Sequence, residues 1–211
     1  MFHYFDIEYY FTALRYILRT PNRKGKRKLL AKLILLEPLK YLFHAVFFFL
    51  DYIFFPKLWT QKIHKPIFVV GHARSGTTLV QRLLASDGER FSYFLYWETF
   101  FPSLLQKKIV RALGILDAKL GGKTKARLKK LDDKLFGPSR HIHYMSFWAA
   151  EEDDFVLNPA YCSGQRALDA PIMGVVNMFN IDEFSPQKRR RWMRHYKECI
   201  KRQLLLNGGN K

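Results

Sequence analysis

Pro66-Ile-Phe-Val-Val-Gly71-His72-Ala73-Arg74-Ser75-Gly76-Thr77-Thr78-Leu-Val-Gln-Arg-Leu-Leu84 is the stretch whose reading decides what this 211-residue chain can be. Its β-branched and aromatic start predicts a buried strand, and Leu79, Val80, Leu83 and Leu84 recur at helical spacing. Between them, residues 71–78 hold two glycines and three hydroxyls, the makings of a tight turn. A loop that joins a strand to a helix in this way turns backbone N–H groups toward one point, and the positive end of the helix dipole faces that same point. Phosphate or a similar anion binds there.

The spacing Gly71-x-x-x-x-Gly76-Thr77-Thr78 differs from a nucleoside-triphosphate loop in one respect. Thr77 stands where a lysine would reach the β- and γ-phosphates, and the cation comes earlier, at Arg74. No second apolar strand ending in a metal-binding aspartate is evident, which disfavours a magnesium-dependent kinase or nucleotidase, kept here as an alternative. The wording instead resembles the 5′-phosphosulfate loop of the bacterial-type sulfotransferase family. That resemblance implies an α/β domain, a P-loop-like parallel sheet flanked by helices, with 3′-phosphoadenosine 5′-phosphosulfate (PAPS) as donor and an acceptor hydroxyl on a glycan, lipid or small molecule. It assigns cofactor binding to Gly71, His72, Ala73, Arg74, Ser75, Gly76, Thr77 and Thr78, with Arg74 stabilising the leaving phosphate, and it calls for no metal.

The totals set outer bounds. With 48% hydrophobic residues and 19 phenylalanines the chain is not disordered, and 211 residues suffice for one domain with a real core. A formal charge of +18 implies acidic partners such as a nucleotide, an anionic lipid surface or nucleic acid. Nucleic acid is the weaker of these, because no zinc-ligand spacing, RNP-type motif or helix-turn-helix is present. Two cysteines, Cys162 and Cys199, form no disulfide framework and fit packing roles in a reducing, cytoplasmic compartment.

Residues 1–63 read as an apolar and basic helical segment ahead of a domain spanning 64–211. Tyr4 to Leu18 have the spacing of an amphipathic helix, and Asp6 and Glu8 stand where a signal peptide would be basic. Residues 23–32 carry six basic side chains and no acid. The most apolar run follows, over 29–55. Glu37-Pro38, Lys40, His44 and Asp51 interrupt it, leaving less than the about 20 apolar residues of a spanning helix. A helix on the membrane interface is therefore expected, with packing on the domain or a full span as the other readings.

Beyond the loop helix, residues 90–97 are expected to form a second parallel strand that delivers Glu98 to the crevice facing Arg74. Glu98 is accordingly the first candidate for general base, an assignment that several glycan sulfotransferases resemble. Glu151-Glu152-Asp153-Asp154-Phe155 resembles an acidic stretch of the same family, which makes Glu152 the competing base, with His72 behind it. Residues 103–136 read as two helices divided by Gly121-Gly122, and Ser185-Pro186 opens another with Trp192, Tyr196, Cys199, Ile200 and Gln203 facing inward. His141, His143 and the nearby acids lack metal-ligand spacing. The family's 3′-phosphate segment has no counterpart before Lys211. The resemblance thus covers about residues 60–207 and implies a catalytic domain incomplete at its C-terminus, for which a catalytically incomplete basic protein on membrane or nucleic acid is the alternative function.

Overall fold

The computed structural model describes residues 3–20, 25–72, 75–141, 144–166 and 180–209. These are mostly helical. Helix α1 (Ile7–Arg19) is capped by Asp6, whose carboxylate accepts from Tyr9 N at 3.1 Å. Helix α2 runs unbroken from Lys26 to Phe54 through a π-helical segment at Lys32–Leu36, and the short α3 (Lys57–Thr60) follows. The loop helix is α4 (Thr77–Ser86); then come β1 (Phe94–Leu95), α5 (Tyr96–Thr99), α6 (Leu104–Lys119) and α7 (Lys123–Phe136). Strand β2 (Ala150–Glu151), a 3₁₀ segment at Asp153–Ala160 and the long α8 (Pro186–Leu206) complete the order.

Local chemistry explains where the helices begin. Ser103 caps α6 in a reciprocal arrangement with Gln106, and Ser185 accepts from Lys188 N ahead of a proline in the first turn of α8. Gly121 and Gly122, both at positive φ, divide α6 from α7 as the spacing predicts.

Two buried clusters hold the elements together. Tyr9, Tyr10, Ala13, Ile17 and Leu33 from the N-terminal helices pack on Ala160, Tyr161, Cys162 and Trp192, while Phe48 meets Phe94, Val156 and Cys199. Both cysteines are free and buried. The face that α2 turns inward is unusual for being polar. Glu37, His44 and Asp51 are all buried along it. Asp51 accepts from Ser103 Oγ (2.8 Å), Leu104 N (3.0 Å) and Leu105 N (2.8 Å), so it caps α6 from a different helix, and it pairs with Arg202 Nε at 2.7 Å. Arg202 is fully buried, lies 3.4 Å from the centroid of the Phe48 ring and also donates to Glu198 at 2.9 Å. Glu37 takes Arg166 at 3.2 Å, and His44 lies 3.2 Å from the Gln106 amide.

The β-structure departs from expectation. Residues 67–70 form no regular element and are exposed, between 36% and 88%, and no described strand pairs with them. Of the second predicted strand only Phe94–Leu95 forms, and it runs antiparallel to Ala150–Glu151, Phe94 opposite Glu151. Among the described residues there is therefore no parallel sheet and no strand–helix–strand unit. A β-branched run favours extended backbone, but a sheet requires a neighbour of compatible direction, and none of the described strands pairs with residues 66–71.

Candidate functional site

The loop ahead of α4 is built by two glycines. A Cβ on Gly71 would lie 2.5 Å from Ser75 Oγ and 2.8 Å from Thr77 Cγ2, so only glycine allows the turn to curl this closely over itself. Gly76 has φ +86°, a left-handed conformation at the position just before the helix. Ser75 N donates to His72 O at 3.2 Å and closes the bend. Gly71, His72, Ser75 and Gly76 are exposed, and Thr77 and Thr78, which open the helix, are half-buried. Gly76 thus stands without a side chain at a helix N-terminus, where the first N–H groups have no intrahelical acceptor and carry the positive end of the dipole. Ala73 and Arg74 lie outside the described residues.

One turn along α4 the helix is fastened to the acidic segment. Gln81 Nε2 donates to Glu151 O at 2.7 Å, and the Arg82 guanidinium lies 5.4 Å from the centroid of the Tyr144 ring. Glu151 is buried, whereas Glu152, the next residue, is exposed at the start of the 3₁₀ segment. Its two acidic neighbours are occupied elsewhere. Asp153 accepts from the Tyr196 hydroxyl, and Asp154 accepts from Ser163 Oγ at 2.5 Å. Burial holds the Asp154 carboxyl above its usual range. Next to Tyr144 a cleft of about 300 Å³ is lined by Lys125, Lys129, Asp132, Asp133, Arg140, Tyr144, Ser146 and Trp148.

Glu98 does not end a strand at an open crevice; it lies in α5 and is completely buried. Both carboxylate oxygens are engaged. Oε1 pairs with Arg111 Nη2 at 2.7 Å, and Oε2 accepts from Leu95 N at 3.0 Å and from Gln203 Nε2 at 2.7 Å. Gln203 in turn accepts from Lys107 Nζ at 2.7 Å, and burial pulls that fully enclosed ammonium down to about 8. Glu98 thus ties β1 and α5 to α6 and α8. Its displacement from the expected strand end follows from the missing parallel sheet, because Tyr96 N and Trp97 N donate to Ala149 O and Phe147 O instead, both at 3.0 Å.

The remaining candidates separate from one another. Arg140 is held by Asp132 and by Asp133 (2.7 Å), His141 is exposed, and His143 lies outside the described residues. No group of three or more His, Cys, Asp or Glu side chains among the described residues is placed to hold a metal ion. The buried polar links through Arg202, Gln203 and Lys107 had no signal in the sequence. Asp51 did have one: a lone acid inside an apolar run must find partners if it is buried.

Residues 66–169 match the model described as the sulfotransferase family, a span that holds the glycine loop, α4, Glu98, α6, α7 and the acidic segment. No curated protein and no solved structure matches the chain.

Proposed function

We propose that the chain, whose residues 66–169 match the sulfotransferase family, transfers a sulfuryl group from PAPS to an acceptor hydroxyl. What carries this reading is the pair of glycines ahead of α4: Gly71 is packed so closely by Ser75 and Thr77 that no Cβ fits, and Gly76, at positive φ, brings bare backbone to the helix N-terminus, where an anion is favoured. Such a turn fits the 5′-phosphosulfate end of the donor. The donor supplies an activated sulfuryl group, and the chain supplies position and charge. The N–H groups of Gly76 and Thr77 and the hydroxyls of Thr77 and Thr78 hold the phosphate, with the Ser75 N–H kept on His72 O to close the turn. Arg74 stabilises the charge that develops as the sulfur–oxygen bond to the 5′-phosphate breaks.

The acceptor oxygen forms the new bond to sulfur and gives up its proton to a carboxylate. Glu152 is our choice for that group. It is exposed and one residue from the carbonyl to which α4 is anchored, whereas Glu98 is sealed by Arg111, Leu95 N and Gln203 and acts as a positioning residue. The cleft beside Tyr144 adjoins the same helix; its two aspartates are paired with Arg140, which leaves the exposed Lys125 and Lys129 to favour an acceptor that carries negative charge.

Titration calorimetry with adenosine 3′,5′-bisphosphate tests the loop. Arg74→Ala removes a charged partner worth about 1.5–3 kcal/mol, roughly a 10- to 150-fold loss of affinity. Gly76→Val forces a β-branched residue into the left-handed region and should abolish binding while the rest of the fold melts as before. Equal affinity in wild type and both variants would remove the phosphate loop from the argument.

A further inference from the structure

Helix α2 is amphipathic in the reverse sense to that of a helix on a water-soluble domain. From 37 to 54 its polar side chains lie on or beside the buried face, where Glu37, His44 and Asp51 meet Arg166, Gln106 and Arg202, and Lys40 folds back on Glu37 at 3.4 Å. The outward side is apolar over the whole length. Leu35, Leu39, Leu42, Val46, Ile53 and Phe54 are between 47% and 70% exposed. Together with their neighbours they present on the order of several hundred Å², at or above the roughly 300–600 Å² of the largest apolar patch on a typical soluble monomer. A helix normally turns such a stripe inward.

Charge identifies the occupant. Arg27 and Lys28 are exposed at the start of α2, and Lys57 with Trp59 stands just past its end. An apolar strip with cations at its start and a cation and an indole at its end matches an anionic bilayer surface, with the strip in the acyl boundary and the cations among headgroups. A second copy fits less well, because each carries a net charge of +18 and repels its like. We propose that α2 lies flat in the surface of an anionic lipid bilayer. It does not cross: the inner face is bonded along its length to the body of the protein, and that body includes α8, with Arg190, Arg191, Arg194 and Lys197 exposed.

Flotation of the full chain with phosphatidylcholine vesicles, with and without phosphatidylglycerol, decides the matter. Wild type should float with the anionic vesicles. Leu42→Glu/Val46→Glu should reduce partitioning roughly tenfold, the equivalent of about 1.4 kcal/mol, with an unchanged thermal melt in the absence of lipid. Arg27→Glu/Lys28→Glu should erase the preference for anionic over neutral vesicles. Three results would overturn the proposal: wild type that ignores both vesicle types, equal flotation of the Leu42/Val46 variant, or a stable wild-type dimer in solution that this variant dissolves. Resistance of the bound protein to alkaline carbonate would mean a spanning helix and overturn it as well.

Discussion

Glu98 and Glu152 separate two tasks that carboxylates near an anion site can perform. Burial without exposure makes Glu98 a structural ligand for Arg111, Leu95 N and Gln203. Replacing it with Gln inserts an amide whose donors face donors already there, at a cost of about 1–3 kcal/mol. Thermal or urea unfolding should register that loss for Glu98→Gln. Glu152→Gln should leave stability unchanged and cut turnover, followed as release of adenosine 3′,5′-bisphosphate, by about 10²- to 10⁴-fold. If Glu98→Gln keeps its stability and loses turnover while Glu152→Gln does neither, the roles are exchanged. Arg202 calls for a harsher outcome. Arg202→Met leaves Asp51 charged and enclosed, and breaking a buried pair on one side costs about 3–5 kcal/mol. Asp51→Asn added to Arg202→Met should recover part of the loss in the same unfolding experiment.

At the level of elements, helices were legible in the sequence and strands were not, for a reason visible in particular residues. The signals for α6, α7 and α8 are local: Ser103 with Gln106, Gly121-Gly122, and Ser185 with Pro186 all act within one turn of the boundary they set. The run Ile67–Val70 carries an equally clear local preference, yet extended backbone becomes a strand only when another segment supplies its hydrogen bonds. Nothing within four residues of Ile67 encodes that neighbour. The same distinction runs through the site. The turn at residues 71–78 was readable because its glycines answer to their own backbone, whereas the position of Glu98 depends on Gln203, which is 105 residues away. The apolar character of α2 was plain from composition, but its orientation rests on Arg166, Gln106 and Arg202, which only the fold brings to it.

Across the whole molecule, three buried histidines make stability depend on pH. His3, His44 and His195 lie in one group, with ring centroids of His3 and His195 4.8 Å apart and those of His3 and His44 5.9 Å apart. Burial is the main cause that holds His44 down to about 4 and His195 to about 3, and it pulls His3 down as well. Arg202 adds to the depression of His3 and His195, Lys40 to that of His44, and Glu198 opposes it at His195. Each ring is neutral in the folded chain but takes up a proton when unfolded, below about pH 6.5. The unfolded state therefore binds more protons, and stability falls as pH drops from about 6.5 toward 4, by roughly 1 kcal/mol per histidine for each unit. Urea midpoints at about pH 7.5 and about pH 5.5 should differ by roughly 3 kcal/mol in stability for the wild type. A midpoint that does not move would mean that the histidines are charged inside the fold.

The partnership of Asp51 with Arg202 has a consequence in time. The two residues are 151 positions apart, and Tyr52 meets Glu198 across 146. During synthesis at about 5–20 residues per second, α2 waits roughly 8 to 30 seconds after Asp51 is made before Arg202 exists to neutralise it. Ser103, Leu104 and Leu105 are made earlier and can donate to the acid, but throughout that interval the nascent chain displays an apolar helix whose acid lacks its native cation. A ribosome carrying this chain should recruit a chaperone or an anionic surface early, and compact structure around α2 should appear only once α8 has cleared the exit tunnel.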